Sequence, residues 1–167
     1  MKVIDNFLPE DYFRHLQGIM MGDSFPWFYS DSITFAPDGT SDPGYQFTHT
    51  FFRTEAAYCN SDTFHIVRPL LDYMDVKHLY RLKANQNPVD GGQQLGRYHT
   101  DIDIQNSLTS IFYVNTNDGY TKFEDGTIIE SVENRLVTFD SHVSHVGFGC
   151  TNCNRRVLIN INYSVAT

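Results

Sequence analysis

The run RYHTDID, residues 97–103, places a histidine and an aspartate two positions apart, at His99 and Asp101. Residues i and i+2 of a β-strand project from the same face. Read as a strand, this segment aims an imidazole and a carboxylate at one point. A second imidazole from a strand distant in sequence would complete a 2-His-1-carboxylate set. That set caps one face of an octahedron and leaves three coordination positions open. It requires a fold that lays distant strands side by side.

The surrounding sequence supplies such strands. Apolar alternation predicts strands over 94–103, 107–115, 127–132, 135–139, 143–148 and 156–164. Turn residues separate them at Asp90-Gly91-Gly92, Asn117-Asp118-Gly119, Asp125-Gly126 and Asn152–Asn154. Upstream, 1–7, 45–53 and 79–87 also read as strands. Pro9 suits the first turn of a helix reaching about residue 21, with Tyr12, Phe13, Leu16, Ile19 and Met20 at helical spacing. Ser61 can cap a second helix over 62–75, carrying Phe64, Val67, Leu71 and Met74 on one face. Residues 22–44 read as loop, and Trp27 and Tyr29 there are candidates for a substrate mouth. The expected fold is α+β and mainly β: a double-sheet jelly roll with two supporting helices in the N-terminal half.

A chain of 167 residues is expected to form a single domain, 1–167. Ten Tyr and 13 Phe favour strands. The net charge of −8 and scattered Lys and Arg disfavour nucleic acid, whose affinity comes mainly from phosphate neutralisation. No apolar run approaches the ~20 residues of a membrane helix. The opening MKVIDNFLPEDYF lacks the apolar stretch of a signal peptide, so a reducing, cytoplasmic setting is expected. Cys150 and Cys153 form a C-x-x-C, but a structural zinc needs four ligands and the only other cysteine, Cys59, is remote. The pair reads as a turn.

For the second imidazole, His142 and His145 both stand in SHVSH. Three residues apart on a strand they face opposite ways, so only one can join the set. Asp103 also alternates onto the face of His99 and Asp101. His15, His49, His65 and His78 lack ligand-like spacing and read as structural. A 2-His-1-carboxylate set with open positions is the ligand arrangement of non-haem Fe(II) oxygenases.

At this point the chain resembles the 2-oxoglutarate- and Fe(II)-dependent dioxygenases, in particular their prolyl-4-hydroxylase-like branch and its small bacterial and phage members. The resemblance runs over about residues 81–163, through YHTD (98–101), LTSIFYVN (108–115), FDSHVSHVG (139–147) and RRVLININY (155–163). The VIDNFLPEDYF and FPWFY segments also look like the N-terminal part of those proteins. The family fold is a double-stranded β-helix, the jelly roll expected above. The resemblance implies that His99, Asp101 and His145 hold the iron, with Phe139 selecting His145 over His142. It implies that Arg156, selected over Arg155 by its spacing to Tyr163, binds the distal carboxylate of 2-oxoglutarate with Tyr113. Gly119 stands where the family has a Gly-Gly pair.

Strand parity agrees. Arg156, Leu158, Asn160 and Asn162 share one face of their strand, while Val157, Ile159, Ile161 and Tyr163 share the other. A guanidinium offers a planar fork for a carboxylate. Asn160 is grouped with Arg156 and Tyr113 at the cosubstrate, and Lys83, Asn85, Arg97, Tyr98 and Asn160 are candidates for the substrate pocket. The resemblance implies Fe(II), 2-oxoglutarate and O2 as cofactors. It implies hydroxylation of an unactivated C–H bond of a small molecule or peptide, with release of succinate and CO2. Demethylation through an unstable hydroxymethyl is the variant outcome. Related halogenases carry a small residue where Asp101 stands. The competing readings are a cupin-like metal protein that does not use 2-oxoglutarate and a catalytically silent jelly-roll binding module.

Overall fold

The computed structural model describes residues 1–34, 40, 42, 44–54, 61–89, 91 and 93–165. Cys59, Asp90 and Gly92 lie outside the described residues. Eleven strands and two α-helices follow one another: β1 (Lys2–Ile4), α1 (Glu10–Met20), β2 (Phe28–Ser30), β3 (Gln46–Arg53), α2 (Arg68–Tyr73), β4 (His78–Pro88), β5 (Gln94–His99), β6 (Leu108–Tyr113), β7 (Tyr120–Phe123), β8 (Ile128–Glu130), β9 (Arg135–Asp140), β10 (His145–Phe148) and β11 (Arg155–Ser164). They form two antiparallel sheets, one ordered β1-β9-β6-β11-β4-β3-β2 and the other β5-β10-β7-β8. This is the expected mainly β, two-sheet architecture. Among the described residues no helix is long and apolar enough to cross a membrane.

The helices cover the outer face of the seven-stranded sheet. Helix α1 carries Glu10 and Asp11 in its first turn, where the helix dipole favours negative charge. Its apolar stripe, Phe13, Leu16 and Met20, is buried with Leu70 and Leu71 of α2 against Leu82, Ala84, Phe112, Val157, Ile159 and Ile161. The expected helix over 62–75 is instead a 3₁₀ turn, Phe64–Ile66, followed by the short α2. Pro69 is the cause: it has no N–H to give to the carbonyl four residues back, and its ring crowds that carbonyl.

The inner face of the large sheet meets the small sheet. There Ile111, Tyr113, Phe123, Val137, Phe139 and Leu158 form a second, smaller apolar cluster. The alternation expected along β11 holds. Val157, Ile159, Ile161 and Tyr163 enter the outer core, while Arg156, Leu158 and Asn160 face inward onto a cavity. Two strands escaped the sequence reading. β2 falls inside the expected 22–44 loop, and β7 lies in the DGYTKF run behind turn signals. Thr121 and Phe123 are the buried residues of β7, but because one of them is polar the run YTKF carries no apolar alternation to read.

Candidate metal centre

β5 and β10 bring the two histidines together. They pair antiparallel with His145 directly opposite His99, and the ring centroids lie 4.8 Å apart. The strand expected over 94–103 ends at His99, so Asp101 stands in the bend that follows. The bend still returns its carboxylate to the histidines, with Oδ2 3.6 Å from His145 Nε2. The ligand atoms of His99, Asp101 and His145 all lie within 4.8 Å of one another, and this is the only such cluster among the described residues. His142 is elsewhere: its ring reaches Asp140 at 3.0 Å and Asp103 at 3.2 Å on the surface. Asp103 therefore stays out of the cluster. His49 is structural, hydrogen-bonded to the Pro26 carbonyl (2.7 Å) and the Ser61 hydroxyl (2.6 Å).

The donor chemistry fits a divalent metal. His99 Nδ1 donates to the Arg97 carbonyl (3.0 Å) and His145 Nδ1 to the Val143 carbonyl (3.1 Å). A ring nitrogen that donates to a carbonyl fixes the tautomer and leaves Nε2 with its lone pair. Burial lowers the pKa of His145, against the opposite pull of the Asp101 carboxylate. The Asp101 side chain is 4% exposed. Burial pushes its carboxyl up, but the Arg81 guanidinium, the two imidazoles and Asn160 outweigh burial and hold it well below the usual carboxylate range. Arg81 Nη2 donates to Oδ1 at 2.7 Å, and Asn160 Nδ2 reaches both oxygens at 3.1 and 3.2 Å. Asn160, expected from the sequence at the cosubstrate, is bonded to Asp101 and also lines the cavity. Arg81 was missed. Its signal was the run of alternate polar residues Arg81, Lys83, Asn85 and Asn87 on β4.

Arg156 is 2% exposed, the largest fully buried side chain among the described residues. Its Nε donates to Ser131 Oγ (2.9 Å) and its Nη2 to Thr121 Oγ1 (3.1 Å). Its guanidinium carbon sits 5.6 Å from the centre of the Tyr113 ring, and the Tyr113 hydroxyl donates to Thr121 Oγ1 at 2.8 Å. Burial pushes the Tyr113 phenol up, so it stays a proton donor. A cavity of about 450 Å³ joins these groups, with Arg156, Thr121, His99, Asp101 and His145 all in its lining.

Gly119 takes a role beyond its turn. A Cβ there would stand 2.8 Å from Arg156 Cδ, Asn117 Oδ1 and the Phe148 carbonyl oxygen. Glycine is what lets the chain close on the Arg156 stem. Gly119→Ala is expected to cost about 1–3 kcal/mol of stability by overpacking, measured by denaturant unfolding. Unfolding at the wild-type midpoint would show that the neighbours yield freely.

Of the substrate-pocket candidates, Lys83, Asn85 and Asn160 line the cavity. Arg97 instead pairs with Asp42 (2.6 Å), tying the segment before β3 to β5. Tyr98 is not part of the lining. Trp27 packs into the outer core against Phe25, and Tyr29, 66% exposed, stacks on Tyr45. From that loop it is Ser30, Ile33 and Thr34 that reach the cavity. The Cys150 and Cys153 sulfurs lie 3.7 Å apart in the β10–β11 turn, and burial pushes the Cys150 thiol up to about 11, an unreactive state.

Comparison with protein-family models and with curated proteins finds no match. Comparison with solved structures finds many. A prolyl hydroxylase from Trichoplax adhaerens, in complex with a hypoxia-inducible-factor peptide fragment, superposes with a TM-score of 0.65 at 12% identity, covering 98% of this chain and 83% of that one. A prolyl-4-hydroxylase from Pseudomonas putida gives 0.60 at 15% identity, covering 98% and 91%. The fold is that of the 2-oxoglutarate/Fe(II) oxygenases. A non-haem α-ketoglutarate-dependent carbocyclase of nogalamycin biosynthesis gives 0.64 at 9% identity, covering 99% and 82%. The same oxygenase fold therefore serves proteins with quite different reaction outcomes.

Proposed function

We propose that this chain is an Fe(II)- and 2-oxoglutarate-dependent dioxygenase that hydroxylates a C–H bond of a small molecule or peptide. One observation carries the reading: the His99–Asp101–His145 cluster opens onto the same cavity as the deeply buried Arg156. His99 and His145 would give Nε2 and Asp101 a carboxylate oxygen to iron, leaving three positions open. When bound, the iron, 2-oxoglutarate and O2 supply the oxidising power to break the C–H bond, with succinate and CO2 released.

The protein does the rest. Arg81 and Asn160 hold Asp101 ionised and oriented. Arg156, with the hydroxyls of Thr121 and Tyr113 beside it, would take the distal carboxylate of the cosubstrate in a cleft largely screened from water. The retained carboxylate at 101 favours hydroxylation over halogenation. The peptide bound to the Trichoplax enzyme makes a peptide one candidate substrate class.

The test is anaerobic addition of Fe(II) and 2-oxoglutarate. The expected result is a weak visible charge-transfer band, followed by succinate once O2 is admitted. Lack of both band and succinate would overturn the reading.

A further inference from the structure

Beyond the His99–Asp101–His145 cluster, the cavity wall is formed by the inner faces of β3 and β4, and its chemistry is unusual for a ligand pocket. Such pockets are mostly apolar with a few polar groups. Here Thr48, Thr50, Lys83, Asn85 and Asn87 stand side by side. Lys83 is the key residue. It pairs across the sheet with Thr50 on one side and Asn160 on the other. Asn160 touches Asp101, so the Lys83 backbone is one strand spacing, about 4.8 Å, from a residue in contact with a metal ligand.

The Lys83 ammonium makes no hydrogen bond or ion pair with any described residue. The carboxylate that shares the cavity lining with it, Asp101, is already engaged by Arg81 and Asn160. Burial, with Arg81 beside it, pulls the ammonium down to about 8. The attraction of the Asp101 carboxylate does not offset burial and the two neighbouring guanidinium charges, Arg81 and Arg53. Two residues along the same face, Asn85 Nδ2 donates to Gln46 while Asn85 Oδ1 is buried without a partner. A native wall seldom leaves such groups unanswered.

The charge balance points the same way. Arg53, Arg81, Lys83 and Arg156 line the cavity, while Asp101 is its one carboxylate among the described residues. Ferrous iron and the 2-oxoglutarate dianion cancel each other in charge, so loading the site leaves the wall cationic. The chain as a whole carries −8, so this is a local feature and not a basic surface. A cleft of one sign focuses ligands of the other.

We infer that the substrate is a small hydroxylated anion whose carboxylate or phosphate oxygens are held by Lys83, with Thr48 and Thr50 beside it. This rests on the proposed function, because it takes the His99–Asp101–His145 site as the reacting centre. An anion docked at Lys83 places its adjoining carbons toward that centre. The polar wall suits a hydroxylated molecule better than an apolar one.

The experiment uses protein loaded with Mn(II) and 2-oxoglutarate, which binds without turnover, and follows binding by calorimetry. The probes are a series of hydroxy acids (glycerate, malate, gluconate) against their amides, and glycerol 3-phosphate against glycerol. The expected result is binding of acids or of the phosphate, but not of their neutral counterparts. The responding arm tells carboxylate from phosphate. Lys83→Met should weaken that binding about tenfold to a hundredfold, with 2-oxoglutarate affinity unchanged. Lys83→Arg, which keeps the charge, should largely restore it and controls for folding.

Equal binding of acids and amides, or of neither, would overturn the inference. So would a Lys83→Met variant that loses 2-oxoglutarate instead, since Lys83 would then serve the cosubstrate. Failure of the wild type to take up Mn(II) and 2-oxoglutarate at all overturns the oxygenase reading itself, and is seen separately in the first titration.

Discussion

Asp101→Ala is expected to abolish retention of Fe(II) and formation of succinate. The substitution removes one of three donors, and its effect extends further than that. In the wild type the carboxylate answers Arg81 at 2.7 Å and both Nδ2 contacts of Asn160. Without it the guanidinium stays beside the two imidazoles with its charge uncompensated, and a divalent cation is repelled from the place where two rings alone would have to hold it. Metal binding to the native state stabilises a protein by RT ln(1 + [L]/Kd), about 2.7 kcal/mol at a hundredfold excess over Kd. The wild type should therefore melt higher when Mn(II) is added, whereas Asp101→Ala should not respond. Metal content after gel filtration and succinate yield under O2 give the second and third readouts. Asp101→Asn, which keeps the shape and the Arg81 contact but loses the charge, should behave like the alanine variant for metal. Wild-type turnover in Asp101→Ala would remove Asp101 from the ligand set and, with it, the case for an iron site here.

How much of this was legible in the sequence depends on the range over which each feature is determined. The β11 strand could be read residue by residue, because a strand buried on both faces writes its parity into the chain. Val157, Ile159 and Ile161 face the helices, and Arg156 and Asn160 face the cavity. The three residues of the His99–Asp101–His145 cluster could be picked out because they carry unusual chemistry at a telling spacing. The geometric reason given for His99 and Asp101 held only in part. The strand stops at His99, and it is a bend that brings Asp101 back. The register that sets His145 opposite His99 is a long-range property of β5 and β10, for which local periodicity has no signal. The same is true of Arg81 and Asp101, twenty positions apart and in different sheets or their connections. Trp27 shows the opposite error. An aromatic in a loop suggested a substrate mouth, but burying a large apolar surface against Phe25 was worth more.

Replacement of Arg156 should separate two quantities that usually move together. Arg156→Met is expected to weaken 2-oxoglutarate binding by roughly thirtyfold or more. Truncating one member of a buried, hydrogen-bonded charge pair costs about 2–5 kcal/mol, and 2 kcal/mol is already about thirtyfold in affinity. The loss should appear mainly in KM for 2-oxoglutarate, with succinate formation partly recovered at high cosubstrate concentration. The stability of the ligand-free protein should not follow. The guanidinium is 2% exposed and is held by the hydroxyls of Ser131 and Thr121. Burying a charge is costly, and exchanging it for an apolar side chain of similar length is commonly neutral or stabilising. Met also keeps the stem that packs against Gly119. The ligand-free variant should therefore unfold at or above the wild-type denaturant midpoint, while the rise in melting temperature on adding 2-oxoglutarate with Mn(II) should disappear. Arg156→Lys keeps a charge but not the planar fork, and should fall between the two. A variant that loses stability in step with 2-oxoglutarate affinity would mark Arg156 as part of the scaffold. Unchanged KM would mean that another group carries the distal carboxylate.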